Sequence, residues 1–266
     1  MQNIPEAPKD LPENTKSNIR TIDRDITKLA LPALGTLLVQ PLLVLVDSTM
    51  IGRIGTAELA GLSLASTILS TVIGLCIFLS YATTATTAHF VGAGKIDTAL
   101  RSGIDGIWIA ILLGVLLGVG MNLFSEQIIE LFSPSSEILT HGSQYLVASS
   151  FGIPGMLLVL AATGTIRGFA DTKTPLYIAT FGALLNIPLN IVLIYGADLG
   201  VYGAGLGTAI AETLMGLLLV GKILQLRKNN NSEFPTSLLP TGAGLLRSLK
   251  DAFPLFLRTV SLRGAL

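Results

Sequence analysis

LALPALGTLLVQPLLVLVDSTMIG, from Leu29 to Gly52, is an apolar run interrupted by one charge, Asp47, with no cationic side chain until Arg53. A helix of about 20 apolar residues crosses a bilayer. Inside one, a carboxylate is costly and is kept mainly on ion or substrate pathways. If the chain lives in a membrane, Asp47 is therefore its first candidate functional residue.

Composition supports that condition. Half the residues are hydrophobic and 13% are charged, against about 25% charged in soluble domains, and the mean hydropathy is +0.69. The formal net charge is zero, which argues against nucleic acid or an acidic polymer as a partner. The single cysteine, Cys76, lies in an apolar run and excludes an intrachain disulfide. Six segments are long enough to span: Leu29–Arg53, Ala57–Phe90, Ile104–Phe124, Tyr145–Phe169, Pro175–Gly196 and Val201–Lys222. A seventh begins at Phe253, and its 14 residues to Leu266 make a helix of only about 21 Å.

The expected organisation is all-α and polytopic. Residues 1–25 are polar, lack the apolar core of a signal peptide and are expected to form a disordered cytoplasmic tail. Residues 26–224 form a six-helix transmembrane lobe, 225–252 a proline-bearing cytoplasmic linker, and 253–266 a truncated seventh helix. Fourteen Lys and Arg residues fall on one side of this arrangement, from Lys9 to Lys250, and only Arg53 on the other. The positive-inside rule then places both ends of the lobe in the cytoplasm of a multi-pass cell-membrane protein. The lead-in RDITKLALPALGTLL is echoed by LLRSLKDAFPLFLRTVSL, with Pro32 and Pro254 opening the two apolar runs. Such an echo suggests a second repeat, a common transporter plan.

Polar residues of three segments meet at one depth. Asp47 lies six residues before Arg53, Asn190 six before Gly196, and Thr208 seven after Val201. Each is about 9–10 Å inside the outer boundary. Asn186 and Glu212 sit one turn deeper, four residues from Asn190 and Thr208 and so on the same helix faces. Carboxylate, amide and hydroxyl oxygens suit a hard cation such as Na⁺. A proton serves instead if Asp47 is desolvated. For Asn186 or Thr208 alone the plainer reading is interhelical bonding.

Other signals are weaker. Gln40, seven residues before Asp47, and Thr67, in the hydroxyl-rich second segment, are candidates to line a pathway. Pro32 and Pro41 remove backbone donors and are expected to bend the first helix. GAGLG (Gly203–Gly207) and GAGK (Gly92–Lys95) complete no nucleotide fingerprint. His89 and His141 stand near segment boundaries without metal-ligand spacing. No catalytic constellation is present, so an enzyme is not expected.

Several stretches resemble the multidrug and toxic compound extrusion (MATE) family, particularly its DNA-damage-inducible F-like branch. They are VDSTMIGRIGTAELAGLSLA (Val46–Ala65), RGFADTKTP (Arg167–Pro175), LLNIPLNIVLIYG (Leu184–Gly196) and GVYGAGLGTAIAE (Gly200–Glu212). The resemblance implies two six-helix lobes in pseudo-twofold relation, working as an antiporter in which cation influx drives extrusion of small organic, often cationic compounds. It implies no cofactor beyond the coupling ion. Carried over by position, the cation site would use Asp47, Asn186, Asn190, Thr208 and the backbone carbonyl of Ala204, and Pro32 would fall where the family's first helix bends.

Two departures matter. Asn190 stands where archaeal-type members carry a second aspartate, which weakens the case for Na⁺ and favours a proton on Asp47. Glu212 would supply the missing carboxylate from one turn deeper. The chain also holds only one lobe and the start of helix 7, so the partner it needs, besides lipid, is a second lobe to rock against. Expected alternatives are a lipid-linked sugar flippase of the same superfamily and a non-transporting truncated membrane protein.

Overall fold

The computed structural model describes residues 13–229, 240, 250 and 253–262, with the backbone alone for residues 13–25, 28–29, 39–40 and 43. The described residues form helices and no strand: α1 (Glu13–Ile51), α2 (Thr56–Leu75), α3 (Phe78–Gly92), α4 (Ile96–Leu123), α5 (Ser125–Glu130), α6 (Ser136–Ser150), α7 (Ile153–Gly168), α8 (Lys173–Asn190), a π-helical turn (Ile191–Gly196) and α9 (Gly200–Asn229). A short apolar helix, α10, covers Phe253–Leu262. Thr56–Gly92, α4, Lys173–Gly196 and α9 are each long and apolar enough to cross a membrane, and the bent pair α6–α7 makes a fifth span. The run that opened the analysis forms the second half of α1.

Three expectations about boundaries are corrected. Helix α1 starts at Glu13, inside the stretch expected as a disordered tail, while residues 1–12 lie outside the described residues. The second expected span divides at Cys76, where backbone hydrogen bonds shorten to three-residue spacing, as from Cys76 to Ile73 and from Ser80 to Ile77. The fourth begins at Ser136 rather than Tyr145 and bends by 51° between α6 and α7. Pro154 explains this bend, because it has no N–H to offer the Ser150 carbonyl one turn earlier. Asn122 of α4 braces the bend with hydrogen bonds to the Ser150 hydroxyl (3.0 Å) and the Val147 carbonyl (3.5 Å). At the linker, α9 continues to Asn229; residues 230–239, 241–249, 251–252 and 263–266 are outside the described residues.

Helix α7 is the hub, packing on α3, α4 and α9, while α6 joins α2 to α9 and α8 joins α1 to α9. Lipid tails give helices no hydrophobic reason to associate, so close packing must hold them. Glycines permit it. A β-carbon at Gly155 would lie 2.5 Å from the Thr213 Cα, and one at Gly114 2.6 Å from the Pro154 Cα. Leu62, Leu79, Leu146, Leu157, Ile166 and Leu219 fill the interior, whereas α4 turns Leu112, Leu116, Val119 and Leu123 outward, as a lipid-facing helix does.

At the Lys95 end of the bundle, Asp171 ties the α7–α8 turn to two helices. Its carboxylate accepts the Thr174 N–H (3.0 Å) and hydroxyl (2.6 Å) and faces Lys222 of α9 at 3.9 Å. Partial burial pushes its carboxyl up, but the Thr174 hydrogen bonds and Lys222 outweigh this and hold it below the usual carboxylate range. A folded-state pKa below the unfolded one stabilises above the ordinary value of about 3.9 and loses that effect as pH falls through it. Asp171→Ala is expected to lower thermal stability near neutral pH by about 0.5–2 kcal/mol, the usual worth of such a cap. The deficit should shrink in acid; a deficit independent of pH would sink the electrostatic account.

Candidate cation site

Asp47 occupies the last turn of α1, where the apolar run turns inward against α8 and α9, and it is 2% exposed. Two donors reach it from different helices. The Asn190 side-chain amide donates to Oδ1 at 2.5 Å, and the Thr208 hydroxyl donates to Oδ2 at 3.0 Å. The same Asn190 amide nitrogen also donates to Asn186 Oδ1 at 3.1 Å, one turn back on α8. All are buried, as is Ala204, one turn before Thr208 on α9. Asp47, Asn190, Asn186 and Thr208, expected at neighbouring depths, are thus in hydrogen-bond contact. Among the described residues, the hydrogen bonds that Asp47 accepts come from Asn190 and Thr208, neither of them basic.

Local backbone chemistry sets the geometry. Pro188 lacks an N–H, and the chain then enters the π turn, closed by a five-residue hydrogen bond from Ala197 to the Val192 carbonyl (2.7 Å). Such turns recur at functional sites. The regular rise assumed for this segment thus fails just beyond Asn190, although the layer it pointed to survives. Tyr195, inside the π turn, donates its hydroxyl to the Met50 carbonyl at 2.7 Å and fixes α1 to this segment one turn from Asp47.

Two members of the site escape sequence reasoning. Tyr145 of α6, 3% exposed, adjoins Thr208 and Ser149 and lies within electrostatic range of both Asp47 and Glu212. At the sequence level it marks only the start of an apolar segment. Gly207 lies directly against Asn190 Oδ1, so that any β-carbon there would overlap the oxygen. Glu212 is 2% exposed, one turn past Thr208. It belongs to the Tyr145 side of the cluster rather than to the Asp47 hydrogen bonds.

The remaining candidates stand apart. The side chain of Gln40 lies outside the described residues. Thr67 is exposed on α2 and returns its hydroxyl to the Ser63 carbonyl of its own helix (2.7 Å). Pro32 and Pro41 lie within α1, which continues through both, and Thr36 donates to the Pro32 carbonyl at 2.9 Å. A third buried carboxylate, Asp105 of α4, is not among the sequence candidates; its charged group is 3.9 Å from that of Arg101, four residues earlier.

In the acid–amide cluster, Asn190 Oδ1 and Asn186 Nδ2 are buried without hydrogen-bond partners. Burying such atoms is costly, and at a functional site the cost marks atoms available to another state. Turning the Asn190 amide would aim Oδ1 at Asp47, an arrangement that needs a proton or a metal cation between the two oxygens. The residues present thus fit a monovalent cation, with Asp47 supplying the charge.

A sealed acid–amide–hydroxyl cluster between three apolar helices defines a polytopic membrane protein with an intramembrane polar site. The family model described as MatE matches residues 32–192, and the chain belongs to that family of multidrug and toxic compound extrusion transporters. It is 31% identical over 209 residues to the DNA damage-inducible protein F of Escherichia coli K12, covering 77% of this chain and 46% of that protein. It is 27% identical over 202 residues to the probable multidrug resistance protein NorM of Thermotoga maritima, covering 74% of this chain and 43% of the relative. A crystal structure of a MATE protein in its bent conformation superposes with a TM-score of 0.80 at 22% identity, over 91% of this chain and 54% of that one. A MOP superfamily transporter from Pyrococcus furiosus, reported with reversed polarity of its binding pocket, gives 0.77 at 21% identity, over 91% and 53%. The chain spans about half the length of these proteins.

Proposed function

We propose that this chain is the amino-terminal lobe of a cation-coupled antiporter that extrudes small organic, often cationic compounds by alternating access against a second lobe. The observation that carries the reading is the hydrogen-bonded, buried Asp47. A charge at that depth is tolerated where it changes state during function. The family relatives support the transport class, since NorM proteins are named for multidrug resistance.

Proton coupling is the preferred form. Ionised, Asp47 is an acceptor for Asn190 and Thr208. Protonated, it becomes a donor, and the orphaned Asn190 Oδ1 is the acceptor within reach once the amide turns. The swap gives two hydrogen-bonded states of α1 against α8 and α9, as a two-state carrier requires. Bending of α1 near Pro32 and Pro41 would transmit it. Asp47 is the one carboxylate in the hydrogen bonds with Asn190 and Thr208, Asn190 stands in place of a second, and Glu212 lies outside those bonds, so Na⁺ has a weaker cage. The positive-inside bias orients the Arg53 end outward in the cell membrane.

The test compares dye efflux from vesicles carrying the complete transporter under an imposed proton gradient and under an imposed Na⁺ gradient. Efflux driven by protons alone supports the reading. Na⁺-driven efflux without a proton gradient would reassign the ion. No response to either gradient would remove antiport itself.

A further inference from the structure

We propose that a pocket at the Arg53 end, bounded by Glu58, His141 and Asp198, is the port through which the coupling proton reaches Asp47, with the Tyr145 hydroxyl relaying it inward. The proposal rests on the antiporter reading above. The pocket holds about 400 Å³ and is also lined by Ile54, Gln144 and Tyr195. Its walls are the α1–α2 turn, α6 and the junction of the π turn with α9, so it opens onto the elements that hold the acid–amide cluster.

The chemistry of the lining suits a monovalent cation or hydronium. Glu58 and Asp198 contribute two carboxylates, and His141 is the single basic side chain among the lining residues, its Nε2 3.8 Å from Glu58 Oε1. The Glu58 and His141 side chains are 24% and 28% exposed, so solvent reaches the pair. A concave pocket of one sign raises the local concentration of the opposite ion. The position is fixed by packing: Gly61 of α2 lies so close to α6 that a β-carbon would fall 2.7 Å from the Gly142 nitrogen. Tyr195 is held separately, by its bond to Met50.

Ile194 and Val201 line the pocket, and with Ile51 at the end of α1 they are buried apolar side chains, each at most 2% exposed. The polar side chains that lead inward lie on α6 and α9. Tyr145 is one turn from His141 on α6, adjoins Ser149 and Thr208 and lies within electrostatic range of Asp47 and Glu212, and Thr208 donates to Asp47. The Ser149 hydroxyl is fully buried beside Tyr145, so a second hydroxyl stands next to the phenol. A phenol both donates and accepts. Tyr145 can take a proton from the pocket on its oxygen lone pair as its own proton leaves towards Thr208 and Asp47, ending neutral and ready to repeat.

The experiment measures efflux by the complete transporter in vesicles as a function of proton concentration on the Arg53 side. Glu58→Gln combined with Asp198→Asn should raise the concentration for half-maximal rate about tenfold, the lower end of electrostatic focusing, with the saturated rate held within about twofold. Tyr145→Phe should instead cut the saturated rate. If the double variant fails to assemble, Asp198→Asn alone must shift half-saturation the same way; this exposed turn has φ 54°, which asparagine also adopts. Unchanged half-saturation overturns the port. Asp47→Asn in parallel separates the two readings: efflux surviving that change takes Asp47 out of the coupling site on which the port rests, whereas its loss beside a normal port variant removes the port alone.

Discussion

Asp47→Asn in the complete transporter is expected to abolish the ion-driven efflux proposed above, while the protein still reaches the membrane in normal amount. The substitution keeps shape and volume. An asparagine at position 47 accepts the Asn190 amide through its oxygen and can donate its NH2 to the Thr208 oxygen, so the α1–α8–α9 junction keeps two hydrogen bonds with one reversed. What disappears is the one acid of the cluster that can release and regain a proton between those donors. Thermal stability should hold or rise, because a buried charge costs more to desolvate than a neutral amide. Efflux of a fluorescent cation, normalised to the amount of protein in the membrane, is the measurement. Efflux at the parental rate would take Asp47 out of the mechanism.

Gly207→Val should come next in severity, although it changes no charge. Asn190 Oδ1 occupies the space that a β-carbon at position 207 requires, and Asn190 cannot retreat without releasing Asp47. Either α9 moves away from α8 or the amide leaves the carboxylate. Overpacking of this kind costs about 1–3 kcal/mol. Here the loss should appear both as a lower melting temperature and as efflux close to background. Gly221→Ala on the same helix is the control, since nothing lies within 4 Å of a β-carbon there; it should leave both unchanged. Normal efflux by Gly207→Val would mean that Asn190 need not hold its observed place.

The two predictions differ in how the sequence foretells them. Asp47 is legible without a structure, because an acid in an apolar run is conspicuous. Asn190, Asn186 and Thr208 follow from depth counting, which works while helices keep a regular rise, and helix faces repeat at four residues. Gly207 is different. In sequence it is one glycine of GAGLG among 28 in the chain, and its meaning lies wholly in which atom it faces. Tyr145 is hidden for the same reason, and so is the Glu58–His141–Asp198 pocket, whose members belong to three separate parts of the chain.

Backbone departures were hidden too. The break at Cys76, the 51° bend before Pro154 and the π turn after Pro188 each depart from the regular helix that hydropathy implies. Proline marks where donors are lost, but the neighbouring helices decide whether the chain bends, breaks or continues. Helix α1 runs on through Pro32 and Pro41, whereas the chain bends sharply ahead of Pro154.

The sequence by itself determined that this is an all-helical membrane protein and that Asp47 is the costly group around which a site must form. Those properties follow from solvent transfer, which each segment expresses alone. Only the tertiary structure decided which donors hold the carboxylate and which glycine leaves room for them. Those depend on distances between helices, set by packing that no single segment contains.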